Sequence, residues 1–167
     1  MRDRDSASSL RLEHVVFTEA EVGDIDALAG VFWRAREVAM PWLAKTQTPI
    51  QTRAWMRTTL FRQSEIAVVR WGLTGPQKPV AFAAWKRDKL EHFYVHPEHQ
   101  RQGIGQSLFA RVSRRMPAGF EFWVFQRNTA ARTFYEKLGC VLVRETDGAS
   151  NLEREPDALY RWAGTVS

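Results

Sequence analysis

A hydrophobic strand that leads directly into a glycine-containing turn and a helix constrains this chain more than any other feature. The strand-like segment Lys89–Val95 is followed by a turn at residues 100–105, in which Gly103 and Gly105 lack a Cβ atom. Such a backbone can approach a bulky group closely, and the unpaired N–H groups of the following helix's first turn point toward it. Because successive N–H groups of this kind form an anion-binding concavity, the pattern predicts a pyrophosphate cradle; a plain strand-to-helix connector is the alternative.

Two motifs within residues 85–143 resemble the GCN5-related N-acetyltransferase (GNAT) superfamily. Its acetyl-coenzyme A signature is Gln/Arg-x-x-Gly-x-Gly/Ala, and residues 100–105 read Gln-Arg-Gln-Gly-Ile-Gly. The family's second motif, Asn-x-x-Ala-x-x-Phe-Tyr-x-x-x-Gly-Phe, is matched by residues 128–140, except that Cys140 replaces the final aromatic residue. Two motifs in the expected order are more specific than either alone. The resemblance implies a small acetyltransferase of the bacterial type, with acetyl-coenzyme A as co-substrate.

The resemblance also assigns residues to coenzyme A binding. The cradle residues are Gln100, Arg101, Gln102, Gly103, Ile104 and Gly105. In the family, the strand before the cradle carries a bulge and diverges from the next strand, which leaves backbone groups unpaired. The Val95 backbone is therefore expected to contact the pantetheine arm. Asn128 is expected to contact the arm through its side chain, to act as a helix N-cap, or both.

Tyr135 is the expected catalytic acid. It occupies the position of the family's tyrosine that protonates the leaving coenzyme A thiolate. A tyrosine, with a usual pKa of ~10, stays protonated at neutral pH and can serve a thiol with a pKa of ~8.5. A buried structural tyrosine is the alternative.

Glu91 is the expected general base. An alkylammonium must lose a proton before it attacks a thioester, and a carboxylate can accept that proton. Period-two alternation predicts that Phe93 and Val95 share the face of Glu91, whereas His92 and Tyr94 face the other way. A glutamate that only orders water or binds substrate is the alternative. Weaker candidates for the proton relay are His92, His96 and Glu121.

Two segments are expected to form the acceptor pocket. Residues 40–43 follow the first helix, which lies beside the acceptor site in the family, and Trp42 could wall a cavity there. Core packing is the alternative for this tryptophan. The polar loop at residues 147–157 could attract a cationic amine through Glu153 and Glu155, or it is a solvated run of charges.

Sequence patterns elsewhere predict alternating helices and strands. Asp24 is expected to cap a helix, Thr48 opens a capping box before a helix over 49–62, and Gly139 is a left-handed C-terminal cap. Trp55, in the second helix, is assigned to the core. Helices are also predicted at 103–116 and after Asn128, and strands at 14–18, 65–70, 79–86, 89–95, 120–125, 140–144 and 158–162. The expected fold is α/β (α+β): a GNAT-like, mixed, largely antiparallel sheet of about six or seven strands with about four helices.

Length and composition predict one domain over residues 1–167, with residues 1–9 flexible. The chain is 44% hydrophobic and 12% aromatic, which is typical of a globular domain with a buried core. Residues 1–9 lack the apolar core of a signal peptide, and the apolar run at 80–85 is too short to cross a bilayer. We therefore expect a cytoplasmic protein without a membrane partner. Cys140 is the only cysteine, which excludes an intramolecular disulfide and a cysteine-based metal site.

The net charge of +5 does not by itself indicate nucleic acid. Basic residues are scattered along the chain, whereas a nucleic-acid-binding module needs a basic, aromatic face. A solvated surface, or attraction of an anionic ligand such as coenzyme A, accounts for the excess.

These features predict an N-acetyltransferase that moves the acetyl group of acetyl-coenzyme A directly to a primary amine in a ternary complex, without a metal. Cys140 follows a helix cap and is interpreted as a packed residue, not a nucleophile. A non-catalytic acyl-coenzyme A-binding sensor or regulatory module is the alternative, since it would keep the cradle without Tyr135 or Glu91. The acceptor is a small-molecule or peptide amine that the sequence does not specify, and assembly as a homodimer is left open.

Overall fold

The computed structural model describes residues 14–72 and 77–165, so the flexibility predicted for residues 1–9 lies outside the described residues. Within them, the helices are α1 (Ile25–Ala39), α2 (Pro49–Trp55, a π-helical stretch Met56–Leu60, and Phe61–Gln63), α3 (Ile104–Arg115) and α4 (Thr129–Lys137). The strands are β1 (Val15–Glu19), β2 (Glu65–Trp71), β3 (Lys78–Lys86), β4 (Lys89–Val95), β5 (Phe120–Phe125), β6 (Val141–Thr146) and β7 (Asp157–Trp162). Short 3-10 turns occupy Val22–Asp24 and Pro97–His99.

The strands form one 7-stranded sheet in the order β1-β2-β3-β4-β5-β7-β6. All neighbouring strands are antiparallel except β4 and β5, which are parallel. The predicted mixed, largely antiparallel α/β fold with four helices is confirmed.

Two apolar clusters lie on the sheet. The first contains side chains of α3 and α4, and its helical members are Ile104, Leu108, Phe109, Val112 and Tyr135. The second contains side chains of α1 and α2, and its helical members are Ile25, Leu28, Ala29, Val31, Met56 and Leu60. The helix pair after the cradle and the helix pair near the N-terminus therefore belong to separate cores.

The predicted caps at Thr48, Asn128 and Gly139 are confirmed. Thr48 Oγ1 accepts a hydrogen bond from the Gln51 N–H group (3.3 Å), and Gln51 Oε1 accepts one from the Thr48 N–H group (2.8 Å). Asn128 Oδ1 accepts from the Ala131 N–H group (3.2 Å) at the start of α4. Gly139 has a left-handed φ of 84° just after α4, a conformation that glycine adopts without a steric penalty.

The prediction that the Asp24 side chain caps α1 is wrong. Asp24 stands at the N-cap position, but its carboxylate makes no cap hydrogen bond. It accepts instead from Arg70 on β2 at 2.9 and 2.7 Å and from the Glu21 N–H group at 2.9 Å. A guanidinium matches both carboxylate oxygens at once, so it outcompetes the single N–H groups of a helix terminus.

The part of the chain that the structure describes contains no helix long and apolar enough to span a membrane. Within the same residues, no group of three or more His, Cys, Asp or Glu side chains is arranged to hold a metal ion.

Candidate active site

Strands β4 and β5 diverge from a single point of contact. Their register has one pair, Lys89 with Glu121, and the Glu121 N–H group donates to Asp88 O (2.9 Å). Beyond this point, the C-terminal half of β4 has a paired strand only on its β3 side. The sheet therefore opens into a cleft between the ends of β4 and β5, as the resemblance implies.

The backbone of Val95 faces this opening. Val95 is opposite Ala81, and the His96 N–H group donates to Val80 O (2.8 Å). In an antiparallel ladder, that bond makes Val95 and Ala81 a non-hydrogen-bonded pair, so the Val95 N–H and C=O groups point away from β3. The carbonyl accepts from Gln100 Nε2 (3.0 Å), and the N–H group points into the gap.

The turn between β4 and α3 has the backbone conformation of an anion-binding loop. Arg101 and Gly103 have left-handed φ angles of 58° and 83°, and Gly103 is the N-cap residue of α3. The first hydrogen bond of the helix runs from the Ser107 N–H group to Gly103 O (3.0 Å), so the preceding N–H groups of the first turn have no intrahelical acceptor. Left-handed residues beside such amides are typical of an anion-binding concavity, which stays a prediction for this turn.

The side chains of the cradle residues stabilise the loop. Gln100 bonds to Val95 O as described, and Gln102 Nε2 donates to Glu98 O (3.1 Å). Ile104 is buried in the first core. These three residues can therefore offer mainly backbone groups to a ligand.

Gly105 has a packing role that the sequence reasoning missed. A Cβ atom at this position would lie 3.3 Å from the Phe134 ring of α4 and 3.8 Å from the Val95 side chain. The absence of a side chain thus allows α3 to pack closely against α4. The assignment of Gly105 to anion approach alone is incomplete.

The cleft between β4 and β5 brings three predicted residues together. Its walls include Glu91, Asn128 and Tyr135. The remaining walls are Arg36, Met40, Leu90, His92, Phe93, Tyr94, Phe122, Trp123, Val124, Phe125 and Ala131. Two candidate proton carriers and one candidate cofactor contact therefore share one cavity.

The volume of this cleft is about 110 Å³, and a neighbouring cavity beside α1 has a volume of about 400 Å³. The two cavities adjoin, because Arg36, Met40 and His92 belong to the walls of both. A small molecule in the larger cavity would thus lie next to the cleft that contains Glu91 and Tyr135.

Tyr135 lies in an aromatic shell at the inner end of the cleft. It is 7% exposed, and its ring centroid is 4.3 Å from that of Phe122 and 5.1 Å from that of Phe134. Burial raises the pKa of the Tyr135 phenol, so the phenol keeps its proton at neutral pH. The residue is thus a core side chain that also lies in the wall of the cleft, so burial does not exclude the catalytic role predicted from sequence.

Glu91 is the extra residue of a β-bulge. Ala84 of β3 is opposite His92, whereas Trp85 is opposite Leu90, which leaves Glu91 without a partner on β3. The bulge interrupts the period-two alternation, so the prediction that Glu91 shares a face with Phe93 and Val95 is wrong. Leu90 packs in the first cluster with Phe93 and Val95. The Glu91 carboxylate instead accepts a hydrogen bond from Ser64 Oγ (2.8 Å), just after α2.

The other proton-relay candidates are less suited to act as bases. Glu121 binds Lys89 (2.7 Å) and Arg161 (2.5 Å), and these cations lower the pKa of its carboxyl group to about 2. Burial, together with the charge of Arg36, lowers the pKa of His92 to about 4. His96 caps the turn after β4, where its Nδ1 atom accepts from the Glu98 N–H group (3.4 Å).

Cys140 is buried behind the cleft. It is 4% exposed, and burial raises the pKa of its thiol to about 12. A thiol that keeps its proton at neutral pH is a poor nucleophile, which agrees with the interpretation of Cys140 as a packed residue.

The larger cavity contains one of the three residues predicted for the acceptor pocket. Glu153 lies in its wall and forms an ion pair with Arg36 (2.9 Å). Glu155 is not part of the wall and pairs with Arg127 (3.6 Å).

Trp42 does not line this cavity, although its neighbours Pro41 and Leu43 do. Its ring packs edge-on against Phe125 (6.0 Å between centroids), and the Arg127 guanidinium lies 4.3 Å from the ring centre. Contacts with an aromatic ring and a cation stabilise the Trp42 side chain more than exposure to an open cavity would.

Sequence reasoning missed the main walls of the larger cavity. Phe32, Trp33 and Arg36 lie on α1, and Trp55, which was assigned to the core, lies on α2 and also faces the cavity. A sequence pattern on α1 could have indicated these walls. Phe32 and Trp33 lie about one helical turn before Arg36, next to the apolar face of the helix.

The diverging strands, the left-handed turn and the cleft agree with the fold that the sequence motifs imply. Residues 62–139 match the family model described as "Acetyltransferase (GNAT) domain". This match agrees with the resemblance to the GNAT superfamily that the motifs indicate. A search of the curated proteins found no significant match.

Solved structures with the same fold cover nearly all of the chain. YjaB from Escherichia coli, in its apo form, has a TM-score of 0.72 at 14% identity, over 90% of this chain and 99% of that one. The ribosomal-protein-S18-alanine N-acetyltransferase from Escherichia coli has a TM-score of 0.67 at 20% identity, over 92% and 96%. YncA from Salmonella typhimurium, a putative acetyltransferase solved with acetyl-coenzyme A, has a TM-score of 0.64 at 18% identity, over 92% and 95%. At these identities the likeness shows the fold alone.

Proposed function

We propose that this protein is an N-acetyltransferase that transfers an acetyl group from acetyl-coenzyme A directly to a primary amine. The observation that carries the proposal is the cleft between β4 and β5, whose walls include Glu91 and Tyr135 and which adjoins the larger cavity. Holding the amine and the thioester side by side would supply most of the acceleration, and the acid and the base would add smaller factors.

The residues of the cleft and the cradle fit acetyl-coenzyme A. The Gly103 N-cap and the first-turn N–H groups of α3 would hold the pyrophosphate, and the Val95 N–H group would donate to the pantetheine arm. Asn128 uses Oδ1 for its cap, so its Nδ2 amide is the group that would contact the same arm. Bound acetyl-coenzyme A supplies an activated acetyl thioester.

Two residues would then transfer the protons of the reaction. Glu91 accepts a proton from the ammonium group, directly or through water, and so frees the nitrogen lone pair for attack on the thioester carbon. The new C–N bond replaces the C–S bond, and Tyr135 donates its phenolic proton to the departing thiolate. The nitrogen then loses its second proton, which restores the Tyr135 phenol directly or through water. The products are an amide and a free thiol. This route requires neither a metal nor an acetylated Cys140.

We extend the proposal to the domain, the location and the partners of the protein. Residues 1–167 would form one N-acetyltransferase domain that acts in the cytoplasm, without a nucleic-acid or membrane partner. A homodimer is part of it as well, since the edge strand β6 exposes Val141, Leu142 and Val143. Sedimentation at several concentrations would measure the oligomeric state.

The experiment that tests the function combines binding with turnover. Acetyl-coenzyme A should raise the thermal midpoint, and a panel of primary amines should include acceptors that release free thiol in an enzyme-dependent manner. A thermal shift without thiol release by any amine would instead support the acyl-coenzyme A-binding sensor. Absence of both signals would contradict both functions.

A further inference from the structure

The cavity beside α1 has an aromatic wall built from two helices and β4. Phe32 is the centre of this wall, since its ring centroid lies 6.3 Å from that of Trp33, 6.1 Å from that of Trp55 and 6.5 Å from that of His92. Trp55 and His92 also contact each other edge-on, at 5.0 Å. The volume of about 400 Å³ lies within the range of small-molecule sites.

Hydrogen bonds hold this wall in place. Trp33 Nε1 donates to Thr52 Oγ1 (3.2 Å), and this fully buried hydroxyl donates in turn to Thr48 O (3.0 Å). Trp55 is the last residue before the π-helical stretch of α2, a local distortion that is frequent at functional sites. The aromatic surface is thus arranged before any ligand binds, which limits the entropy lost on binding.

The charged side chains in the cavity wall are already paired. Arg36 pairs with Glu153 at 2.9 Å, and the two side chains are only 19% and 16% exposed. Lys45 pairs with Glu37 at 3.6 Å. Among the described lining residues, no carboxylate is therefore left for a second ammonium group, and no cation is left for a ligand carboxylate.

We propose that the acceptor is an arylalkylamine, a primary amine joined by a short aliphatic linker to one aromatic ring. This inference rests on the proposed function and names the substrate class of the same site. The aromatic ring occupies the space against Phe32, Trp33 and Trp55, and the amine extends past His92 and Arg36 into the cleft that contains Glu91. Diamines and amino acids are poorer acceptors, because each carries a further charge that finds no free partner in this cavity.

The first test compares matched acceptors with saturating acetyl-coenzyme A. We expect kcat/KM for 2-phenylethylamine to exceed that for butylamine, 1,4-diaminobutane, phenylalanine and an alanine-terminated tetrapeptide by at least about tenfold. Trp33→Leu and Trp55→Leu should reduce the ratio between 2-phenylethylamine and butylamine. Trp42→Leu changes a tryptophan outside the cavity and should leave that ratio as it is in the wild type. A higher kcat/KM for the diamine, the amino acid or the peptide overturns the inference.

The second test alters the charge balance. Glu153→Gln frees the buried Arg36 guanidinium, so kcat/KM for phenylalanine should rise relative to that for 2-phenylethylamine by about tenfold. Glu155→Gln, which changes a carboxylate outside the cavity, should not shift this ratio. An unchanged ratio in Glu153→Gln contradicts the role given to the ion pair.

Binding separates this inference from the proposed function. If no amine releases thiol, the proposed function fails, but thermal shifts in the presence of coenzyme A still rank the ligands. A shift at a lower concentration of 2-phenylethylamine than of 1,4-diaminobutane or phenylalanine supports the aromatic acceptor class, and the reverse order overturns it.

Discussion

Tyr135 combines burial in an aromatic shell with a position on the cleft wall. Burial raises the pKa of its phenol, so ionisation of this residue should not lower activity below about pH 10, where an ordinary tyrosine begins to ionise. If Tyr135 protonates the thiolate, Tyr135→Phe should lower kcat by more than about tenfold and leave the affinity for acetyl-coenzyme A nearly unchanged. Steady-state kinetics and titration with acetyl-coenzyme A measure the two effects.

Tyr160 provides the matched control. Its hydroxyl is buried in the same core but donates to Glu136 (2.7 Å) and accepts from Arg132 (2.9 Å), outside the cleft. Tyr160→Phe should therefore reduce stability without a comparable loss of kcat. Wild-type turnover in Tyr135→Phe would make Tyr135 a structural residue.

Glu91 gives the second prediction for a single residue. Glu91→Gln keeps the shape of the side chain but removes the basic site, so turnover should fall at neutral pH and recover in part at alkaline pH, where more of the amine is already neutral. Ser64→Ala removes only the hydrogen bond to the carboxylate and should keep the pH dependence of the wild type. Parallel pH-rate profiles for Glu91→Gln and the wild type would mean that water or another group accepts the proton of the amine. A raised KM with unchanged kcat would make Glu91 a binding residue.

Among the secondary-structure elements, the start of α1 is fixed by a paired carboxylate instead of a cap. Burial opposes ionisation of Asp24, but the bonds from Arg70 and the Glu21 N–H group outweigh it and lower the pKa of the carboxyl group. Asp24→Ala should decrease the free energy of unfolding by about 3 kcal/mol at pH 7, because Arg70 would remain largely buried without its partner. Asp26→Ala, which removes the exposed pair with Arg53, should change it by less than about 1 kcal/mol.

The pH dependence of this difference has a defined sign. A carboxyl group with a lowered pKa in the folded state contributes stability above its unfolded pKa of about 4 and loses that contribution as the pH falls through the folded value. The difference in the free energy of unfolding between the wild type and Asp24→Ala, measured by urea denaturation, should thus decrease below about pH 4. A gap that stays constant down to pH 2 would mean that packing, not charge, produces it.

The elements show where sequence reasoning succeeds and where it stops. The strands β4 and β5 and the caps at Thr48 and Asn128 were predictable, because local patterns of side chains and hydrogen bonds determine them. The bulge at Glu91 was not located by those patterns, since it depends on the register between β3 and β4. The aromatic wall was missed for a related reason: Phe32 and Trp55 meet only after α1 and α2 pack together.

At the scale of the whole molecule, the cradle links ligand binding to the stability of the fold. A ligand that binds only the folded state stabilises it by mass action, and the predicted pyrophosphate site lies between β4 and α3, beside the first core. Acetyl-coenzyme A should therefore raise the thermal midpoint of the wild type. Gly103→Glu should abolish this rise, because the new carboxylate would lie beside the first-turn N–H groups and repel the pyrophosphate.

The left-handed φ of 83° at Gly103 requires a control with the same backbone strain. Any side chain there destabilises the loop, but asparagine tolerates this conformation better than most residues and carries no charge. Gly103→Asn should consequently have a lowered midpoint without ligand and still show a saturable rise with acetyl-coenzyme A. If Gly103→Glu, while folded, shows the same rise as Gly103→Asn, the pyrophosphate does not bind at the start of α3. If neither variant responds, the backbone conformation of Gly103, and not only the charge at this position, is required for binding.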